Sequence, residues 1–157
     1  MPNVFIFDLD DTILMSNTYK NYSDITPNTT LNYFIDNLEG RKFIYTNGTY
    51  GHGVKSLEQM NNTNIFTHIF ARDKLPFMKP DYRSYNFVQN LLYYNFKCSN
   101  FDKHIFFDDL PNNLLTAKSI GWTTVWINPK CNDFNFEFID HKFETLLDAL
   151  IYFKNNI

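Results

Sequence analysis

Acidic side chains are concentrated directly after the first apolar run of the chain. Asp8, Asp10 and Asp11 follow the buried-strand pattern of residues 4–7, and Thr12 comes next. Carboxylates so close together repel one another, and a divalent cation relieves this repulsion because Mg²⁺ prefers hard oxygen ligands. An ordinary acidic turn or a helix N-cap has the same composition, so this cluster alone leaves the structural and the metal-binding interpretations open.

Two further polar groups stand where a strand pattern gives way to a helix pattern or where a helix begins. Thr46, Asn47 and Gly48 combine a hydroxyl, a tight turn and free amides at a helix N-terminus, which together can bind an anion. Lys79 precedes Pro80 at a predicted helix start and could balance the charges of carboxylates and a phosphate group.

A second acidic pair, Asp108 and Asp109, ends another apolar run, and Asn113 follows further along the chain. Two acidic groups at two strand ends are what a shared metal ion needs. Because Asp108 and Asp109 are neighbours on an extended segment, their side chains should point to opposite faces and have different roles.

Short apolar runs alternate with amphipathic stretches along the whole chain. The predicted strands are residues 4–7, 42–46, 65–70, 104–107 and 123–127. The predicted helices are residues 31–38, capped by Thr29 or Thr30, residues 52–61, a helix from Pro80, one from Pro111 to Gly121, and residues 143–151. About five strands separated by helices predict an α/β protein with a parallel sheet covered on both faces. Ligands of such sheets bind beyond the carboxyl ends of the strands, where the polar groups lie.

The order of these groups resembles the motifs of the haloacid dehalogenase (HAD) superfamily of phosphotransferases. The family pattern is an apolar run with Asp-x-Asp-x-Thr, an apolar run ending in Ser or Thr, a Lys, and a terminal acidic motif. Residues 5–12, 44–48, 79–80 and 106–109 match it in that order, so the resemblance covers nearly the whole chain. It implies a three-layer, Rossmann-like core forming a single domain over residues 1–157.

The resemblance assigns catalytic roles to the first motif. Asp8 matches the nucleophile, which forms an aspartyl-phosphate. Asp10 matches the general acid/base, and its backbone carbonyl is a metal ligand in the family. Mg²⁺ would join Asp8 to the phosphate oxygens. Dehalogenases of the family lack this second Asp, so the resemblance implies hydrolysis of a phosphate ester.

The other motifs supply the phosphate site and the remaining metal ligand. Thr46 matches the phosphate-binding hydroxyl, aided by the Asn47 amide in the turn with Gly48. Lys79 matches the lysine that neutralises charge on the nucleophile and on the transferring group. The resemblance favours Asp109 as the metal ligand.

In the same motif Asp108 would support the metal site without binding the metal ion directly. Asn113 takes the place of a second acid and precedes Gly121 with the family's spacing. The segment 107–114 resembles the pyrimidine 5′-nucleotidase branch of the superfamily.

Residues 11–45 and 49–78 are too few to hold a folded cap domain in addition to the predicted elements. The site is therefore expected to be open. In the family, open sites usually serve macromolecular substrates or are closed by a neighbouring subunit, which would make the protein a homo-oligomer. The expected function is Mg²⁺-dependent hydrolysis of phosphomonoesters, on a small molecule or a macromolecule. Two alternatives remain open: a binding or scaffold protein with little turnover, and a phosphatase specific for nucleotides or nucleic-acid ends.

Composition narrows the class of partner. The formal net charge is −3 and the basic residues are scattered, which disfavours nucleic acid without excluding it. The sequence has no apolar run of membrane length and no leader pattern, and Cys98 and Cys131 fit free thiols in a reducing compartment, so a cytoplasmic location is expected. The histidines are dispersed and are expected to be structural or solvent-facing: His52, His68, His104 and His141.

Overall fold

Strands and helices alternate along residues 2–156, the part of the chain that the computed structural model describes. Its strands are β1 (Asn3–Phe7), β2 (Arg41–Thr46), β3 (His68–Ala71), β4 (Lys103–Asp108), β5 (Thr123–Ile127) and β6 (His141–Phe143). Its α-helices are α1 (Thr29–Asp36), α2 (Tyr50–Met60), α3 (Tyr82–Tyr94), α4 (Pro111–Ser119) and α5 (Leu146–Asn156). No helix in this part is long and apolar enough to cross a membrane. The alternation confirms the predicted α/β class.

The strands form one parallel sheet in the order β3-β2-β1-β4-β5-β6. Phe7 of β1 is in register with Ile44 of β2 on one side and with Phe107 of β4 on the other. The winding of the chain therefore changes direction at β1. In open parallel sheets such a switch point creates a crevice beyond the carboxyl ends of the strands, and ligands bind there.

Both faces of the sheet are buried, which is why β1 is a continuous apolar run. Phe5 and Phe7 pack on one face with residues of α1, α2 and α5, whereas Val4 and Ile6 pack on the other with residues of α3 and α4. All four side chains are at most 2% exposed. Complete burial of such a side chain contributes about 1.5–3 kcal/mol. The packing of β1 therefore fixes the position at which the acidic motif begins.

Local hydrogen bonding shifts several predicted helix starts. The cap of α1 is Asn28, and neither Thr29 nor Thr30 takes that role. The helix α3 follows its cap Asp81 and does not begin at Pro80. The helix α2 starts two residues earlier than the apolar spacing predicts, because the side chain of the preceding residue accepts a hydrogen bond at its N-terminus.

The sheet has six strands, whereas the sequence predicts about five. Phe143, which its spacing assigns to the last helix, lies in β6 and pairs with Ile127 of β5. The strand β6 has three residues, too few for a visible alternation of apolar and polar side chains. The predicted third strand also starts too early, since residues 63–65 form a 3-10 turn and β3 begins at His68.

Short elements make up the two connections that lead from β1 to Lys79. Between β1 and β2 the chain forms 3-10 turns at residues 16–18 and 22–24 and then α1. Between β2 and Lys79 it forms α2, β3 and two further 3-10 turns. The helices α1 and α2 contribute to the apolar layer over one face of the sheet, so these connections also build the core.

The turn into β2 requires a glycine at position 40. Gly40 has a φ of +155°, and a Cβ there would run into the backbone oxygen of Asn3 and come within 2.9 Å of Phe5 Cε2. By contrast, a Cβ at Gly51 on α2 would meet no atom within 4 Å.

Gly40→Ala should lower the free energy of unfolding by about 2–3 kcal/mol, because the strained φ and the clash with β1 both act on the folded state. Gly51→Ala is the matched control, and should leave stability unchanged or raise it by up to about 1 kcal/mol. Urea unfolding of the two variants and the wild type measures the difference. Equal stability of both variants would contradict this account of the turn.

Candidate active site

The Lys79 ammonium lies at the centre of the polar residues beyond β1, β2 and β4. Its Nζ donates hydrogen bonds to Asp8 Oδ1 at 3.1 Å, to Asp108 Oδ2 at 2.9 Å and to the Tyr45 carbonyl oxygen at 2.8 Å. Lys79 is 2% exposed, so all three ammonium hydrogens are used inside the protein. Burial alone lowers the pKa of Lys79, but the charges of Asp108 and Asp8 outweigh it and raise that pKa above its ordinary value. The lysine therefore stays charged beside the expected nucleophile.

Asp8 continues β1 and is held from both sides. Its backbone N–H donates to the Phe107 carbonyl oxygen at 2.9 Å, which extends the β1–β4 pairing by one residue. Its Oδ2 accepts a hydrogen bond from Thr12 Oγ1 at 3.1 Å, while Oδ1 faces Lys79. A carboxylate held in this way is oriented before any ligand arrives, as a nucleophile requires.

The loop after Asp8 turns back sharply on itself. Asp11 adopts the left-handed conformation with φ of +62°, and its N–H donates to the Leu14 carbonyl oxygen at 2.7 Å. Its carboxylate accepts hydrogen bonds from the backbone N–H and the hydroxyl of Ser16. Asp11 thus fastens the loop, while Asp10 is left pointing into the cleft. Of the three carboxylates in the first acidic cluster, only Asp8 joins the group that could hold a metal ion.

Asp10 contacts a histidine that the sequence did not assign to the site. His52 Nε2 lies 2.9 Å from Asp10 Oδ1 and 3.0 Å from Oδ2, and His52 Nδ1 lies 2.7 Å from the Tyr22 hydroxyl. The expectation that His52 is structural or solvent-facing did not include this contact with the candidate site. Its position in the first turn of α2, directly beyond β2, was the available signal. No such signal existed for Tyr22, because it lies in a 3-10 turn that is distant from Asp10 and His52 along the chain.

The second motif forms a compact turn above the end of β2. Thr46 Oγ1 accepts a hydrogen bond from the Gly48 N–H at 2.9 Å, which leaves the hydroxyl hydrogen of Thr46 available to an anion. The Asn47 side chain forms two hydrogen bonds with the backbone of Lys79. Its Nδ2 donates to the Lys79 carbonyl oxygen at 2.9 Å, and its Oδ1 accepts from the Lys79 N–H at 3.0 Å. Asn47 therefore places Lys79, a role that the resemblance did not assign to its side chain.

The start of α2 is less available to an anion than the sequence predicts. The Tyr50 N–H donates to Asp73 Oδ1 at 2.8 Å, and the His52 N–H donates to Thr49 Oγ1 at 3.1 Å. The expectation of free amides at this helix N-terminus is wrong for these two groups. An anion in the cleft would depend more on the Thr46 hydroxyl and on the positive charge of Lys79.

The two aspartates at the end of β4 have different surroundings, as expected for neighbouring strand positions. Asp108 is fully buried, and its carboxylate accepts hydrogen bonds from Lys79, from the Leu110 N–H at 2.8 Å and from Asn113 Nδ2 at 3.1 Å. Asp109 is half-buried and lines the cleft with Asp8. Asp108 is thus occupied by donors, whereas Asp109 faces the space where a ligand would bind.

Asp8, Asp108 and Asp109 form an acidic cluster that could hold a metal ion, since they offer carboxylate oxygens within 4.8 Å of one another. Burial, a hydrogen bond to Asp8 and repulsion from Asp108 and Asp8 raise the pKa of Asp109 to about 8. A proton bound at Asp109 partly relieves the crowding of negative charge. A divalent cation would do the same, and the all-oxygen donor set fits Mg²⁺.

The cleft that these residues line has a volume of about 250 Å³. Asp8, Asp10 and Asp109 meet there with Thr46 and Lys79. The structure therefore brings together all the residues that the sequence assigned to the site: Asp8, Asp10, Thr46, Asn47, Gly48, Lys79 and Asp109. Their catalytic and metal-binding roles remain predictions.

Comparisons by sequence identify no relatives, because no protein-family model and no curated protein matches the chain. Comparison of structures does find similar proteins. A HAD phosphatase from Thermococcus onnurineus superposes with a TM-score of 0.66 at 15% identity, over 95% of this chain and 96% of that one.

Two other similar structures are longer than this chain. A magnesium-bound structure of Bacillus subtilis YfnB gives a TM-score of 0.65 at 22% identity, over 80% of this chain and 54% of that one. The L-2-haloacid dehalogenase of Xanthobacter autotrophicus, with chloropropionic acid covalently bound, gives a TM-score of 0.69 at 14% identity, over 87% of this chain and 64% of that one. This chain matches only about half to two thirds of their lengths. At such identities the comparisons show that the chain has the HAD fold, which phosphatases and dehalogenases share.

The raised pKa of Asp109 predicts how a cation and pH act together on stability. The folded protein binds an extra proton between the ordinary carboxyl pKa of about 4 and about 8, so metal-free stability should fall as pH rises through this range. Mg²⁺ requires the ionised carboxylate, so its effect on the melting temperature should be larger at about pH 8.5 than at about pH 6. Thermal unfolding with chelator or Mg²⁺ at the two pH values tests this, with Asp109→Asn as the control that removes the titrating group. An equal Mg²⁺ effect at both pH values would refute it.

Asp109→Ala should weaken Mg²⁺ binding more than Asp108→Ala does, because Asp109 faces the cleft and Asp108 is occupied by three donors. Loss of a supporting residue behind a ligand typically costs about 10–100-fold in metal affinity or activity, so only the order of the two variants is decisive. Calorimetric titration with Mg²⁺ measures both affinities. A tighter Mg²⁺ complex for Asp109→Ala than for Asp108→Ala would reverse the assignment.

Proposed function

We propose that this protein is a Mg²⁺-dependent phosphomonoester hydrolase of the HAD superfamily that acts through an aspartyl-phosphate. The observation that carries the proposal is the arrangement around Asp8: a carboxylate fixed by a buried ammonium, with Asp10 and Asp109 in the same cleft. A carboxylate nucleophile, a second carboxylate for proton transfer and a cation site are the parts that such a reaction needs.

In the first step, an Asp8 oxygen attacks phosphorus, and the bond from phosphorus to the leaving oxygen breaks. Asp10 gives its proton to that oxygen, which leaves as an alcohol. In the second step, Asp10 takes a proton from water, whose oxygen bonds to phosphorus while the Asp8–phosphorus bond breaks. Inorganic phosphate leaves, Asp8 is again a carboxylate, and Asp10 is again the protonated acid.

The other residues of the cleft bind and stabilise the phosphoryl group. Thr46 would donate its free hydroxyl hydrogen to a phosphate oxygen, and Lys79 would offset the negative charge near Asp8. The Asp8 and Asp109 carboxylates and the Asp10 backbone carbonyl would hold Mg²⁺. When bound, the cation would neutralise charge on Asp8 and on the phosphate oxygens.

Asp10 distinguishes phosphatase from dehalogenase chemistry within this fold. The resemblance implies that dehalogenases lack a second acid at this position, and here the acid lies in the cleft. We therefore favour hydrolysis of a phosphate ester, although dehalogenases are among the structurally similar proteins.

The connections from β1 to Lys79 consist of short elements, which supports a site without a cap. An uncapped cleft would admit a macromolecular substrate, or a neighbouring subunit could close it. Closure matters because exclusion of water strengthens the electrostatic interactions in the site.

The wild-type protein should release phosphate from a generic aryl phosphate with Mg²⁺, lose this activity with excess chelator, and regain it when Mg²⁺ is restored. Asp8→Asn should abolish turnover with the fold intact, because the amide cannot act as the nucleophile. Asp133→Asn, an exposed aspartate after β5, is the matched control and should keep full activity. Full turnover in excess chelator, or by Asp8→Asn, would be incompatible with the proposal.

A further inference from the structure

We propose that His52 is a positioning residue that aims the Asp10 carboxyl group at the leaving oxygen of the substrate. This inference rests on the proposed function, since it concerns the proton transfer assigned to Asp10. It is supported by a hydrogen-bonded chain from Tyr22 through His52 to Asp10, which joins the loop after β1 to the first turn of α2.

The role proposed for Asp10 sets the direction of the hydrogen bonds in this chain. Nε2 of His52 is nearly equidistant from the two Asp10 oxygens, at 2.9 and 3.0 Å. If Asp10 keeps its own proton for the leaving oxygen, its oxygen facing His52 can only accept a hydrogen bond, so Nε2 must carry the hydrogen of this contact. In the neutral ring, Nδ1 then accepts from the Tyr22 hydroxyl at 2.7 Å. Tyr22 therefore fixes the orientation of the His52 ring, and His52 fixes the orientation of the Asp10 side chain.

Asp10 depends on this contact more than Asp8 or Asp108 depends on any single donor. Asp8 and Asp108 each accept hydrogen bonds from at least two residues. Among the described residues, the side chain of Asp10 is hydrogen-bonded only to His52, and it is 36% exposed. Without His52, the Asp10 side chain would be free to change rotamer within the cleft.

The position of the His52 ring is itself restricted. Its backbone N–H is held by the Thr49 side chain at the start of α2, and its Nδ1 is held by Tyr22. A Cβ at position 48 would lie 2.9 Å from His52 Cδ2, so the ring occupies space that only a glycine leaves open. This is a second reason for Gly48, besides the turn that it forms with Thr46.

A purely structural link between the two segments would have the same geometry, so the test must isolate proton donation. A leaving group that is stable as an anion does not need a proton, whereas a poor leaving group does. Loss of a correctly oriented acid should therefore selectively slow the hydrolysis of esters with poor leaving groups. A general defect in folding or phosphate binding would slow all esters alike.

The experiment compares kcat/KM for a series from dinitrophenyl phosphate through phenyl phosphate to benzyl phosphate, with Mg²⁺ present. This constant covers the steps up to phosphoryl transfer and excludes the later hydrolysis of the intermediate. His52→Ala should lower kcat/KM for benzyl phosphate by about 10²-fold, at the lower end of what general acid catalysis contributes. Its kcat/KM for dinitrophenyl phosphate should stay close to the wild-type value.

Three further variants separate positioning from structure. His52→Gln keeps a side-chain N–H donor and should recover part of the loss on benzyl phosphate. Tyr22→Phe removes the hydroxyl that holds the ring and should give a smaller loss with the same selectivity; it also serves if His52→Ala does not fold. Gln59→Ala, an exposed change on the same helix, should match the wild type on every substrate.

The outcomes separate this inference from the proposed function. A wild-type protein that hydrolyses no member of the series overturns both. If the wild type is active but kcat/KM of the His52→Ala and Tyr22→Phe variants falls equally for all substrates, or for none, the positioning role alone is overturned. A selective loss with partial recovery in His52→Gln establishes it.

Discussion

The buried Lys79 ammonium is the constraint on which the site depends. It bonds side chains that follow β1 and end β4, and a backbone oxygen of β2, so it ties three neighbouring strands together at their carboxyl ends. Burying a charge is costly unless it is paired, and removing one partner of such a pair typically costs about 3–5 kcal/mol. The register of the three strands, the two hydrogen bonds from Asn47 to the Lys79 backbone and the burial of Asp108 all serve to satisfy this one group.

The meeting of the motifs was predictable because it follows from the sheet. A parallel sheet brings the carboxyl ends of its strands to one edge, so polar residues directly after strand patterns must be neighbours whatever the loops do. Asp8, Thr46 and Asp108 were placed at the site on this basis, whereas Lys79, at a predicted helix start, was assigned to it by its charge and by the resemblance. The features that were missed lie where the local pattern is weak: β6 is three residues long, and Phe143 has the spacing of the helix that follows it.

Side-chain partners in the loops were not predictable. Tyr22 and His52 meet only because the chain after β1 folds back over the start of α2, and no periodicity records that path. Likewise, the resemblance points to Asn47 as a backbone amide, whereas its side chain holds Lys79. The amides at the start of α2 looked free in the sequence, but two of them are taken by Asp73 and Thr49, hydrogen-bond acceptors that sequence spacing alone does not reveal.

The balance of charge explains why position 113 can be an amide. The cluster already sets three carboxylates against one ammonium, so a further acid beside Asp108 would add repulsion that Lys79 has no free hydrogen to offset. The Asn113 amide instead donates to Asp108 Oδ2 and completes its set of partners. With Asp108 satisfied by protein donors, the uncompensated negative charge is concentrated on Asp8 and Asp109, at the cleft. There burial and the neighbouring carboxylates raise the pKa of Asp109, and there a divalent cation would match the charge that remains.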